Sequence, residues 1–119
     1  MEETQATQAL SALAQPTRLA VFRLLVRHGP GGLPAGEVAA QLGVQPATLS
    51  FHLAQLERAG LLASRRRSRQ IIYAADFAAM RGLVGFLLDD CCHGHPEICE
   101  GLGQPARDAA RHHKGKETV

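Results

Sequence analysis

Glycine-centred breaks at Gly29-Pro30-Gly31-Gly32, Gly43 and Gly60 cut the first 60 residues of this chain into short apolar-striped segments and fix where helices must stop. Ala6, Ala9, Leu10 and Leu13 recur at helical spacing and predict a short helix over residues 4–13. Pro16 stands where proline suits a first turn, after Gln15, and opens a second helix running to about His28. Leu19, Phe22 and Val26 line one face of it, widened by Leu24 and Leu25. A third helix, Ala35 to Leu42, turns Val38, Ala39 and Leu42 inward. A fourth, from about Gln45 to Ala59, carries Leu49, Leu53 and Leu56 inward and stops at Gly60. Two such helices joined by a short turn containing Gly43 make a helix-turn-helix.

The segments that follow have a different period. Leu61–Arg66 and Gln70–Ala74 are β-prone runs around Arg67-Ser68-Arg69, with Ile71 and Tyr73 facing one way and Ile72 and Ala74 the other. They predict a hairpin with a basic tip, a wing. From Asp76 to about Cys91 helical spacing returns, with Phe77, Met80, Val84 and Leu87 in a stripe and Leu83, Phe86 and Leu88 spreading the apolar surface further. Such a helix is expected to pack on a partner subunit as well as on its own core. Gly82 and Gly85 within it are either tolerated or mark the close approach of another helix. Residues 101–119, rich in Gly, Ala, Arg, His and Lys, read as a tail.

The expected fold class is therefore mainly α with a small β-hairpin, a winged helix-turn-helix. At 119 residues the chain is one ordinary domain. With 45% hydrophobic but only 4% aromatic residues and no Trp, its core must be aliphatic. A chain of this size gains useful burial from a subunit interface. No apolar run reaches the roughly 20 residues of a membrane span, and the acidic start Met1-Glu2-Glu3-Thr4 is unlike a signal peptide. A cytoplasmic protein with reduced thiols is the expectation.

The net charge of +2 conceals a strong asymmetry. Residues 16–75 carry eight Arg against Glu37 and Glu57, a net of +6, whereas residues 76–100 carry a net of −4. The basic middle suits a polyanion and the later stretch a cation. The fourth helix fits a DNA major groove, and its outward set comprises Gln45, Thr48, Phe51, His52 and Gln55. Gln45 and Thr48 sit near its start, where base edges and phosphates are in reach, and Ser50 is short enough for a phosphate. Phe51 either touches a thymine methyl or packs under the wing; His52 either packs or contacts DNA. Arg65, Arg66, Arg67 and Arg69 on the wing suit phosphate or minor-groove contact with double-stranded operator DNA.

Several blocks in this arrangement, Ala12-Leu13-Ala14-Gln15-Pro16-Thr17-Arg18-Leu19, Val38-Ala39-Ala40-Gln41-Leu42-Gly43, Ala47-Thr48-Leu49-Ser50-Phe51-His52-Leu53 and Leu56-Glu57-Arg58-Ala59-Gly60-Leu61, closely resemble the ArsR/SmtB family. The resemblance covers about residues 6–92. It implies a homodimeric winged-helix repressor, paired through its first and last helices, that leaves its operator when a metal or metalloid binds. Domain organisation follows: residues 1–92 for DNA binding and dimerisation, 93–119 for a sensor segment and tail.

Cys91, Cys92 and Cys99 are the only cysteines and fall within nine positions. Adjacent helical residues point about 100° apart, so Cys91 and Cys92 converge only where the helix ends, and Gly94 and Pro96 permit that ending. Three thiolates neutralise trivalent arsenic or antimony, which are soft partners. Zinc or cadmium would ask for a fourth ligand, for which His93 and His95 are at hand. The Cys-x-Cys site that some family members carry on the third helix is absent from Leu33–Val38. Asp89, Asp90, His93, His112 and His113 lack the family's zinc spacing. The arrangement is similar to arsenic sensors of the family with three cysteines at the end of the last helix, which favours As(III) or Sb(III) as inducer. A zinc- or cadmium-responsive repressor, a thiol-redox switch and a winged-helix protein-interaction module stand as alternatives. His95-Pro96-Glu97 echoes the H-x-E of zinc deaminases without their P-C-x-x-C. No nucleophile–base set or phosphate loop argues for an enzyme.

Overall fold

The computed structural model describes residues 1–89. Five helices and three short strands follow in the order α1 (Glu3–Leu13), α2 (Pro16–His28), β1 (Leu33–Pro34), α3 (Ala35–Leu42), α4 (Pro46–Arg58), β2 (Leu62–Arg67), β3 (Gln70–Ala75) and α5 (Phe77–Leu88). This is a winged helix-turn-helix. Cys91, Cys92, Cys99 and the expected boundary between residues 92 and 93 lie outside the described residues.

The breaks act as the sequence requires, through left-handed glycines. After α4, Gly60 has φ +83°. Its N–H donates to Glu57 O and the N–H of Leu61 to Leu56 O, both 3.0 Å. These are the paired bonds of a Schellman turn, and the two leucines that close it are fully buried. Leu61 thus belongs to the helix end, and the wing's first strand begins one residue later than expected. Gly43, φ +65°, ends α3, with the Val44 N–H donating to Ala39 O at 3.1 Å. Helix starts are equally legible: Gln15 Oε1 accepts from the Arg18 N–H at 2.8 Å ahead of Pro16, and Asp76 Oδ1 accepts from the Ala79 N–H at 3.0 Å.

The core is aliphatic, with Val21, Leu25, Val38, Leu49, Leu53, Leu56 and Leu61 fully buried. Two faces differ from expectation. Helix α1 buries Ala6, Ala9 and Ala12, and leaves Leu10 43% exposed. Small side chains let its backbone lie close to its neighbours, so the leucine falls on the outer side. Helix α2 buries Val21, Phe22 and Leu25, a stripe rotated from the expected one, and Leu19 is exposed. In α5 only Leu83 is buried, while Phe77, Met80 and Phe86 are partly covered and Val84 is exposed.

Strands β2 and β3 pair antiparallel from Leu62↔Ala75 to Arg67↔Gln70, closed by Ser68-Arg69 with Ser68 in the left-handed region. Ile72 and Ala74 are buried and Ile71 is exposed, the alternation the sequence predicts. A third strand was not expected. Leu33 and Pro34 pair with Tyr73 and Ile72, making β3 central in the order β1-β3-β2. Proline tolerates this place because an edge strand has an outward side needing no donor. Gly32 makes the pairing feasible: a Cβ there would lie 2.6 Å from Tyr73 O and 2.9 Å from Ile72 Cγ2.

Residues Met1–Phe86 form one compact unit. Within it, Gly82 meets nothing nearer than Met1 side-chain atoms at 3.6 Å, so packing among the described residues does not require glycine there. Gly60 and Gly32 separate two kinds of glycine requirement. Gly60→Ala meets open space and should cost about 1–2 kcal/mol through its backbone conformation alone. Gly32→Ala adds a backbone clash to the same strain and should be clearly worse. Denaturant unfolding of the two variants checks this; equal losses would mean that β1 does not depend on the close approach.

Candidate nucleic-acid interface

The start of α4 presents an exposed, largely polar surface. Gln45, extended at φ −61°, ψ 137°, precedes Pro46 at the first helical position and accepts the Leu49 N–H at 2.8 Å. Burial of Leu49, Leu53 and Leu56 fixes the helix's rotation. Gln45, Thr48, Ser50 and Phe51 then all stand exposed, as the sequence predicts. At 13 residues α4 is about 20 Å long, a rod that a major groove admits. Phe51 is 57% exposed, and its ring meets that of His52 edge-on, centroids 5.6 Å apart. It is not packed under the wing.

His52 and Gln55 depart from the expected outward set. His52 is only 8% exposed, and its Nδ1 lies 3.2 Å from an Arg18 terminal nitrogen. Arg18 has only donors, so Nδ1 must accept and the ring carries its proton on Nε2. Arg18 is itself held: its Nε donates to Ala12 O at 2.7 Å. The guanidinium therefore links the end of α1 to α4 from its place on α2. Burial first, and the Arg18 charge second, push the His52 pKa below its ordinary value. Gln55 is half-buried and lines a cleft with residues of α1. Both residues follow the leucine stripe closely enough in angle to fall at its margin, and the margin here is covered by α1 and α2.

Arg65, Arg66, Arg67 and Arg69 are all exposed on the wing. Arg65 donates to Gly31 O at 3.0 Å, which braces β2 against the loop before β1. Ser64 Oγ donates to Glu57 Oε2 at 2.7 Å, tying the last turn of α4 to the same strand. That bond occupies the acid in the last turns of α4 and sets wing and helix relative to each other. Among the described residues no three His, Cys, Asp or Glu side chains gather to hold a metal. Among them, too, no single helix is long and apolar enough to cross a membrane.

Known proteins share this arrangement. Residues 13–65 match the family model for a helix-turn-helix domain. The chain is 31% identical to the HTH-type transcriptional regulator YgaV of Escherichia coli over 88 residues, covering 74% of this chain and 87% of that one. It is 34% identical to the biofilm growth-associated repressor of Xylella fastidiosa, covering 70% of each. Among solved structures it is similar to a homodimeric winged helix-turn-helix DNA-binding domain from Mycobacterium bovis, described as a possible ArsR-family transcriptional regulator. There the TM-score is 0.58 at 28% identity, over 77% of this chain and 86% of that one.

The chain belongs to the ArsR/SmtB family of winged helix-turn-helix transcriptional regulators.

For an ArsR/SmtB-family regulator the informative surprise is Arg18. It stands in the Gln15-Pro16-Thr17-Arg18-Leu19 block that carries the sequence resemblance, yet no periodicity connects position 18 with position 52. The usable signal was an arginine at the third position of a helix whose cap already needs its N–H.

The tie has a pH dependence with a definite sign. The His52 pKa lies below the ordinary 6.5 in the folded chain, so the unfolded chain takes up the proton first. Stability is full above about pH 6.5 and falls as pH drops from there toward the folded pKa. Thermal unfolding between about pH 7.5 and about pH 5.5 should therefore show a steeper acid loss in the parent than in His52→Gln, which keeps an acceptor for Arg18 but does not titrate. Parallel pH profiles would rule the coupling out.

Proposed function

We propose that the chain is a dimeric repressor that binds operator double-stranded DNA and releases it when As(III) or Sb(III) is captured by Cys91, Cys92 and Cys99. The observation that carries the DNA half is the pairing of one helix start, with Gln45, Thr48, Ser50 and Phe51 exposed, and four exposed arginines on a wing that Ser64 ties to the same helix. Gln45 and Thr48 offer hydrogen bonds to base edges, Ser50 a phosphate contact, and Phe51 an apolar surface for a thymine methyl. Arg65, Arg66, Arg67 and Arg69 supply the charge for phosphates or the minor groove.

Repression is supported by the similar biofilm growth-associated repressor, and dimerisation by the homodimeric Mycobacterium bovis domain. The apolar character of α5, which buries only Leu83, and the exposure of Leu10 on α1 favour the same conclusion. Two copies would set their recognition helices about 34 Å apart, one turn of duplex.

The sensing half rests on donor chemistry. Three thiolates match the charge of a trivalent metalloid, and binding must displace thiol protons, because ordinary cysteines are mostly protonated at neutral pH. Moving the dimer from mostly DNA-competent to mostly released takes roughly 5 kcal/mol of differential affinity. By linkage, operator DNA weakens metalloid binding by the same factor.

Two measurements test the two halves. In duplex-binding titrations across salt concentration, Arg66→Ala and Arg67→Ala should each weaken affinity for all sequences and lower the log–log salt slope by about 1; an unchanged slope removes the wing from the interface. Adding As(III) to the reduced protein–operator complex should release DNA, and Cys99→Ser should bind DNA normally without release. Release from Cys99→Ser, or release of the parent by Zn(II) or Cd(II) but not As(III), would overturn the three-thiolate reading.

A further inference from the structure

A cleft of about 500 Å³ opens between α1 and α4 beside the Arg18–His52 contact. Two arginines, Arg18 and Arg58, line it, and among the described residues none that lines it is acidic. Arg18 reaches it with its orientation already set by the bonds to Ala12 O and His52 Nδ1. Those bonds use two of its five N–H groups. Around the cations α1 contributes Gln8, Ser11 and Thr7, the last with its hydroxyl proton committed to Glu3 O at 2.8 Å. Ala12 and Ala59 give the cleft apolar walls.

We infer that this cleft binds a small organic carboxylate and that α4 registers its occupancy through Arg18. The charge calls for an anion, because two cations share one concavity with no carboxylate among the described residues that line it. The size calls for an organic body: the volume lies in the range of about 300–1,000 Å³ typical of small-molecule sites and is far more than a single inorganic anion fills. A planar fork calls for a carboxylate, which two parallel N–H groups of one guanidinium can hold. A carboxylate paired with Arg18 draws the guanidinium off His52 and relaxes the link between α2 and the recognition helix. This site is lined by residues within Met1–Phe86 and uses no cysteine, so it shares no residue with the proposed metalloid site. Its readout, though not its binding, rests on the DNA-binding reading above.

The full-length chain, titrated calorimetrically with 2-naphthoate, its neutral carboxamide and inorganic phosphate, tests the inference. Saturable binding of one naphthoate per chain is expected, with the carboxamide and phosphate each at least about tenfold weaker, because neither combines a bidentate anion with an apolar body. Arg58→Gln should weaken naphthoate at least about tenfold. Exposed Ser11→Phe, which fills the cleft and removes no charge, should abolish binding while thermal unfolding stays unchanged. In a duplex-binding assay, saturating naphthoate should lower the affinity of the parent and leave that of Ser11→Phe unchanged. No saturable binding, equal binding of the carboxamide, or full binding by both variants would overturn the site. Phosphate binding as tightly as naphthoate would overturn its organic specificity, and binding without a change in DNA affinity would overturn the readout. If the parent binds no duplex at all, the DNA reading fails while the naphthoate titration still decides the cleft.

Discussion

Burial of the α4 leucine stripe is the constraint on which the rest of the molecule depends. A 13-residue helix is marginal in water by itself, so its existence and its rotation both come from packing. Leu49, Leu53 and Leu56 are each at most 1% exposed. Once they are seated, the angular position of every other α4 side chain is determined. The face carrying Thr48 and Phe51 points away because the leucines cannot, and the helix ends where Gly60 admits a left-handed turn. That turn also places Leu61 beneath α4 and starts β2, so the same event that ends the recognition helix launches the wing. One apolar stripe and one glycine therefore fix the relation between the two exposed surfaces.

Such a relation needs bracing against twist, and the polar contacts supply it. Ser64 to Glu57 and Arg65 to Gly31 fasten β2 on two sides. Neither bond is buried, so neither adds much stability; exposed polar contacts contribute little on balance. Their effect is orientational. They leave Arg66 and Arg67 projecting from a strand whose twist is held, with Arg69 in the turn beyond it, instead of from a free hairpin, which would be only marginally ordered. The loss of rotational freedom that a partner polyanion would otherwise impose on binding is thereby partly met in the free protein.

Much of this was legible in the sequence, and the reasons for the misses are specific. Breaks at Gly29–Gly32, Gly43 and Gly60, the Leu49–Leu53–Leu56 stripe and the Ile72/Ala74 alternation are all local patterns, and local patterns survive folding. Strand β1 was invisible because it is two residues long and exists only by pairing with β3, some 40 positions away. The inner faces of α1 and α2 were misjudged only in part: Ala6, Ala9, Phe22 and Leu25 are buried as expected, but Leu10 and Leu19 are exposed while Ala12 and Val21 are buried, because spacing gives a stripe's angle and not which of its edges the neighbours cover. For the candidate interface, Gln45, Thr48, Ser50, Phe51 and the wing arginines stand where spacing put them. His52 and Gln55 do not, because helical spacing gives an angle but not the width of the covered sector. That width is set by α1 and α2, long-range neighbours that no window on α4 contains.

His52 also shows why a polar residue was kept at the covered margin. An apolar side chain there would bury as well, but it would leave one Arg18 terminal nitrogen without the acceptor it faces, with only the bond to Ala12 O remaining, and loss of a partner to a half-buried charge is costly. Conversely, removing Arg18 would leave a buried imidazole acceptor unsatisfied. Each group satisfies the other, and together they connect α2 and the end of α1 to α4. Aliphatic contacts in the same place would be non-directional and would let α4 slide or rotate by small amounts at little cost. A hydrogen bond with one acceptor and a fixed fork penalises such movement, and does so reversibly, because the guanidinium can exchange one acceptor for another. The chain thus holds α4 with a directional contact at its covered margin, where the one partly shielded imidazole of the helix meets the Arg18 guanidinium.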